Sequence, residues 1–186
     1  MKIFGTTLVI GVMLGVGFFV LSRKSENKVP SQVNSSETKI TALTVEKEEQ
    51  EIIPAGYKKY QSAKYGFSIL YPEILAQKEI DEGGNASTIT FQNPAEGKGF
   101  QIFVVPYGAS QVTEAQFKKD APSGVREGLQ NIVIDGATGA SFYSKNSALG
   151  ETAELWFIHG GYLYEVTTLK PLAPWLSEIM QTWKFI

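Results

Sequence analysis

The stretch Glu151–Lys170, ETAELWFIHGGYLYEVTTLK, constrains this chain more than any other. Gly160-Gly161 interrupts two runs of β-favouring residues, and a two-residue hairpin turn needs positive φ at both central positions. Folding at that turn predicts Phe157 opposite Tyr164 and Leu155 opposite Val166. Because strand side chains alternate between faces, Leu155, Phe157, Tyr162, Tyr164 and Val166 share one apolar face. The other face carries Glu154, Trp156, Ile158, Leu163, Glu165 and Thr167. That mixture predicts a partly covered surface.

The rest of the chain must supply a partner for the apolar face. Pro171–Trp183 predicts a helix with Leu172, Trp175, Leu176, Ile179, Met180 and Trp183 on one stripe, Pro174 fitting its first turn. The stripe is expected on the Leu155/Phe157/Tyr164/Val166 face, the other sheet face being the alternative, with Lys184-Phe185-Ile186 closing as a short edge strand. Upstream, Tyr65–Pro72, YGFSILYP, reads as a strand closed by proline. Glu79–Asn85, EIDEGGN, reads as a turn. Thr88–Phe91 and Phe100–Pro106 read as a strand pair, the second buried on both faces. Thr113 and Gln116 have the spacing of a capping box, with Val112 and Phe117 as its hydrophobic staple. That helix ends near Asp120, ahead of Pro122. Asn131–Ile134 and Ala137–Ser144 flank the turn signal Asp135-Gly136, and the small residues Ala137, Gly139, Ala140 and Ser141 allow close packing or a bulge there.

The N-terminal part is of another kind. Residues Ile3–Ser22 carry no charge. About 20 such residues suffice to cross a hydrocarbon core of about 30 Å, and the run is apolar on every side. Residues 1–22 are therefore expected to form a transmembrane signal anchor. The alternative, a signal peptide cut near Val20-Leu21-Ser22, lacks an A-x-A site. Arg23, Lys24 and Lys28 after the run argue against export by the positive-inside rule. A short charged start followed at once by an apolar run argues for it, and the C-terminal domain is expected outside the cytoplasm. Residues 23–56 are polar and too poor in large apolar groups to offset their ordering entropy, as in a disordered linker. Residues 57–186 are the expected globular domain. Gly5 and the residues after it invite comparison with pilins, but Ile10 stands where that family's glutamate would, and Pro30 would interrupt a continuous helix.

Composition narrows the chemistry. The net charge is −2 with histidine neutral, and there is no cysteine. That leaves no bulk electrostatic case for nucleic acid, no thiol catalysis, no disulfide and no cysteine-type zinc site. One histidine, His159, would have to serve any triad or imidazole metal site. It precedes the Gly-Gly turn, where it is either a proton shuttle or ligand at a loop tip or a turn residue covering Tyr162. Glu154 and Glu165 approach diagonally on the mixed face, a spacing that suits paired carboxylates and equally a solvated sheet surface. Trp156, Tyr162, Tyr164, Tyr143 and Tyr71 either line a pocket or pack the core. Asp81, Glu82 and Asn85 lack the spacing of a calcium loop. No phosphate-binding loop, nucleophile elbow or metalloprotease helix occurs. No catalytic residue, metal site or cofactor is assigned, and His159, Trp156, Glu154 and Glu165 stand as ligand-binding candidates.

The order of these segments resembles a PsbP-like domain over about residues 57–186. Tyr65–Pro72 resembles that family's aromatic opening strand ending in Tyr-Pro, and Ile132–Gly136 its mid-domain strand ending at glycine. Tyr162–Thr168, Trp175–Trp183 and Lys184-Phe185 resemble its closing hairpin, helix and terminal strand. The tryptophan often found after the opening proline is absent; Glu73-Ile74-Leu75-Ala76 follows. The resemblance implies an α+β fold, an antiparallel sheet flanked by helices in an α/β/α sandwich. In photosynthetic members the family assists the oxygen-evolving complex, but no residue here carries a metal site across. Relatives of this layout include membrane-tethered bacterial proteins of unassigned role, which this chain resembles most. The expected function is a non-enzymatic extracytoplasmic accessory domain, tethered by its N-terminal helix and recognising a protein or small ligand. Two other classes stay open: an extracytoplasmic hydrolase with a carboxylate/His159 centre, and a pilin-like assembly subunit. Convergence of Glu154, Glu165 and His159 in one concave pocket would mark the enzyme.

Overall fold

The computed structural model describes residues 52–186. The expected membrane anchor, and the linker as far as residue 51, lie outside the described residues. Among the described residues no helix is long and apolar enough to cross a membrane.

The described chain forms ten strands and two α-helices. The strands are β1 (Tyr57–Ser62), β2 (Phe67–Pro72), β3 (Ala76–Gly83), β4 (Ala86–Asn93), β5 (Lys98–Pro106), β6 (Glu127–Ile134), β7 (Ala137–Asn146), β8 (Gly150–His159), β9 (Tyr162–Leu169) and β10 (Lys184–Phe185). Helix α1 (Glu114–Asp120) lies between β5 and β6, and α2 (Ala173–Met180) between β9 and β10. Seven strands make one antiparallel sheet in the order β3-β4-β5-β9-β8-β7-β6. The other three form a small sheet, β1-β2-β10.

The β8–β9 hairpin sits in the middle of the large sheet with the register its turn chemistry predicts: Phe157 faces Tyr164 and Leu155 faces Val166. Gly160 and Gly161 both adopt positive φ, 56° and 83°. The β6–β7 turn repeats this device with Asp135 and Gly136 at 43° and 86°.

The apolar hairpin face is covered as expected. Leu176, Ile179, Met180 and Trp183 pack on Phe157, Tyr164 and Val166, and Phe67, Ile69 and Tyr71 of β2 join the same core. Trp183 stacks on Phe67 with ring centroids 4.2 Å apart and planes 4° from parallel. The opposite face carries a second, smaller core in which Phe117 and Ala121 cover Phe142, Trp156 and Leu163. A helix therefore lies on each face of the large sheet, and the expected antiparallel sheet flanked by helices is present.

Four local expectations are corrected. Glu79–Asn85 is not a turn as a whole: Ala76–Gly83 is strand β3, and only Gly84-Asn85 turns the chain before β4. This strand lies at the sheet edge, exposed along nearly its whole length, so it needs no apolar face and shows no alternation. Strand β5 is buried on one face, through Phe100, Ile102 and Val104, and only half-covered on the other. The capping box at α1 is half made. Gln116 N–H donates to Thr113 Oγ1 at 3.1 Å, but the Gln116 amide group turns to Asp120. Thr113 N–H is satisfied by Tyr107 Oη instead, at 3.0 Å. Finally, the mixed hairpin face is covered more fully than expected, with only Ile158 left half-buried. Glu154, Trp156, Leu163, Glu165 and Thr167 are all buried, because α1 and its flanking chain cover it.

Candidate functional site

Strand alternation separates the residues singled out in the sequence. His159 belongs with Leu155 and Phe157 on the α2 side, whereas Glu154 and Trp156 point to the α1 side. Glu165 joins them, since it lies directly across from Trp156. The structure thus keeps Trp156, Glu154 and Glu165 together and places His159 apart from them, through the thickness of the sheet.

On the α2 side His159 stands at the end of the hairpin, exposed. Its ring stacks on Phe185 of β10, centroids 3.7 Å apart and planes 17° from parallel, rather than covering Tyr162. Beside it opens a cleft of about 240 Å³ between the hairpin end and the loop preceding β2. His159, Lys64, Tyr65, Tyr162 and Ile186 line it. The walls are fixed by hydrogen bonds. Tyr164 Oη donates to the Tyr65 carbonyl at 2.6 Å, Tyr65 Oη to Ser87 Oγ at 2.6 Å, and Ile186 N–H to the Gly66 carbonyl at 3.0 Å. Tyr107 N–H donates to the Gly161 carbonyl at 2.7 Å and anchors the hairpin tip. Tyr65 meets Tyr162 edge to face at 5.3 Å, and the Lys64 ammonium lies 4.7 Å from the Tyr65 ring centroid. Burial pushes the Tyr164 phenol up to about 12, so at neutral pH it serves as a proton donor in hydrogen bonds.

On the α1 side the two glutamates are held differently. Glu154 Oε2 accepts from Thr167 Oγ1 at 2.7 Å and from Trp156 Nε1 at 3.3 Å. Burial raises its pKa, and these donors work against the rise. Glu165 is raised further, well above the usual carboxylate range. Burial is the main cause, the Asp120 and Glu154 carboxylates add to it, and Lys119 opposes. Neither glutamate reaches the His159 cleft.

The remaining candidates are dispersed. Of the five aromatic residues proposed as pocket or core, Tyr71 and Tyr164 are in the main core with Tyr162 against it, and Trp156 is in the smaller core. Tyr143 is exposed, with the Lys170 ammonium 5.1 Å from its ring centroid. Asp81 and Glu82 use their carboxylates locally, on the Gly83 amide and the Thr88 hydroxyl. Among the described residues no group of three His, Cys, Asp or Glu side chains is placed to hold a metal ion.

Sequence reasoning did not find Lys64, Tyr65 or Phe185 as neighbours of His159. The alternation rule would have placed His159 on the α2 face. Nothing local brings residues 64–66 to it, since the bond between Tyr164 and Tyr65 spans 99 positions.

No protein-family model matches the chain, and no curated protein does. Among solved structures it is similar to the solution structure of cyanobacterial PsbP (CyanoP) from Synechocystis sp. PCC 6803. The identity is 12%, over 74% of this chain and 96% of that one, with a TM-score of 0.49. A likeness at that level carries no argument about ligand, partner or activity.

Proposed function

We propose that residues 57–186 are a PsbP-like accessory domain, held at a membrane by residues 1–22 and displayed outside the cytoplasm, that recognises a partner protein through the His159 cleft. The single observation that carries the binding role is the cleft itself. Its mouth is bordered by an exposed imidazole and an exposed ammonium, and its walls are aromatic and pinned by hydrogen bonds. Rigid walls with a few convergent polar groups are the ordinary make-up of a recognition site. At about 240 Å³ the cleft falls short of the ~300–1,000 Å³ that encloses a drug-sized molecule. It suits one inserted side chain of a partner, packed against Tyr65 and Tyr162. The PsbP-like assignment is supported by the aromatic opening strand ending in Tyr-Pro and by the closing order of hairpin, helix and terminal strand. Against a shared carboxylate–histidine centre stands the sheet that separates His159 from Glu154 and Glu165.

Placing a photo-reactive amino acid at Lys64 or His159 of the full-length chain in cells tests the reading. Adducts are expected from both positions, lost when Tyr162 is also changed to Ala, and absent from the distant edge position Lys78. Equal labelling from all three positions would remove the cleft from consideration. Protease shaving of intact cells tests display: the domain is expected to be digested together with known surface proteins, and its survival would contradict outward exposure.

A further inference from the structure

The cover over the α1 face is thin. Within α1 only Phe117 is buried, joined by Ala121 just beyond the helix. Phe117 meets Phe142 and Trp156 with ring centroids 5.7 and 5.6 Å apart. The outer side is held by an exposed ion pair, Arg126 to Glu114 at 3.2 Å, with the Arg126 guanidinium 4.3 Å from the centroid of the Phe117 ring. The segment leaves the sheet after Pro106 and returns at Glu127, and Gly124, with φ of 66°, lies in the returning part.

Beneath this small lid sits a carboxylate that has no ordinary reason to be buried. Glu165 is 6% exposed, and its Oε1 has no hydrogen-bond partner. Its neighbours directly across the sheet are Trp156 on β8 and Phe103 on β5. The charged groups facing it are Glu154 from β8 and Asp120 and Lys119 from α1. Lys119 is exposed, so its field is screened by water. Asp120 is the last residue of α1, where the helix dipole already disfavours negative charge. An ionised Glu165 would therefore face two carboxylates and one screened cation in an apolar setting. A neutral Glu165 faces none of that repulsion.

We propose that α1 is a proton-held flap: with Glu165 protonated the helix closes on Trp156, Phe142 and Leu163, and release of that proton to solvent lifts it and bares them. A carboxyl group whose pKa is raised in the closed form favours closure fully below the ordinary carboxylate range. That advantage is lost as pH rises through the shifted value. The flap is thus tight in acid and loose towards alkaline pH, the reverse of a salt-bridged acid.

Hydrogen exchange on the full-length chain in mild detergent tests this, read as protection relative to the unstructured chain at each pH. The reporters are the amides of Phe117 and Ala121, which bond to the carbonyls of Thr113 and Phe117 within the flap. From pH 5 to pH 8 their protection is expected to fall by about tenfold or more, while the β8 and β9 amides stay protected. In E165Q, which is neutral throughout, the flap is expected to keep its pH 5 protection at pH 8. Should E165Q fail to fold, E165M supplies the same comparison. Equal flap protection at both pH values in the native chain, or an undiminished pH dependence in the substituted one, overturns the proposal.

Discussion

Asp135 accepts the backbone N–H of Phe185 through Oδ2 at 2.8 Å. Its other oxygen takes the Lys184 ammonium at 3.2 Å. One side chain in the β6–β7 turn of the large sheet thereby caps the last strand of the small sheet. The capped residue, Phe185, is the one on which His159 stacks. The cleft wall therefore depends on a turn 24 positions before the histidine it serves.

That relationship makes the C-terminal strand sensitive to acid. The Phe185 N–H and then Lys184 hold the Asp135 carboxyl below its ordinary value. A lowered folded-state pKa gives stabilisation that is present above the ordinary carboxylate value and lost as pH falls through the lowered one. D135N keeps a residue that tolerates positive φ but removes the charge. Near pH 7 it is expected to speed exchange of the Phe185 amide relative to the native chain, and the difference is expected to vanish as pH falls through the lowered value. A D135N chain with native exchange at neutral pH would show that the turn does not hold β10.

Trp183 tests the main core. It is 1% exposed and stacked on Phe67, and its Nε1 is buried without an acceptor. W183A is expected to cost about 3–5 kcal/mol in urea unfolding, the usual range for a truncated core aromatic. W183F removes the unpaired donor and keeps a ring against Phe67, so its cost is expected to be clearly smaller. Equal costs for the two would mean that the stack contributes little.

Gly139 tests the close approach of β7 and β8. A Cβ there would lie 2.4 Å from the Trp156 carbonyl oxygen and 2.6 Å from Phe157 Cβ. Neither atom can yield without moving the central strand. G139A is expected to destabilise by about 1–3 kcal/mol, as overpacking does, with T138A on the same strand near neutral. Equilibrium denaturation of the two variants decides it.

The α1 cap predicts a local effect. Thr113 Oγ1 accepts the Gln116 N–H at the helix start. T113A is expected to cost the helix about 1 kcal/mol, seen as faster exchange of the Phe117 amide. The β8–β9 amides, which open with global unfolding, lose the same free energy and are expected to speed up by no more than the Phe117 amide does. Native exchange of the Phe117 amide in T113A would mean that the Thr113 hydroxyl does not hold the helix start.

Part of the candidate site was legible beforehand. His159 stands out in the sequence as the lone histidine before a Gly-Gly turn, and it borders the cleft. The diagonal approach of Glu154 and Glu165 followed from hairpin register. Their burial did not, because a face reading Glu-Trp-Ile/Leu-Glu-Thr is ambiguous until its cover is known. The cover is a seven-residue helix with a single buried side chain, too small a signal to assign to either face.

What the amino-acid order determined by itself is what acts over a few positions. Gly160-Gly161 and Asp135-Gly136 set two turns and hence two registers. Thr113 and Pro122 bounded α1, and the Leu176/Ile179/Met180/Trp183 stripe marked the helix that seals the main core. Those outcomes rest on backbone sterics, capping and periodicity, all local. Only the tertiary structure decided that ten strands divide into two sheets, that the polar run Ala76–Gly83 is an edge strand, and that Lys64, Tyr65 and Phe185 surround His159. Each of those depends on pairings between distant segments, such as Leu70 with Thr182 across 112 positions. Such contacts form where packing of the whole core lowers the free energy most, and no window of neighbouring residues contains that information.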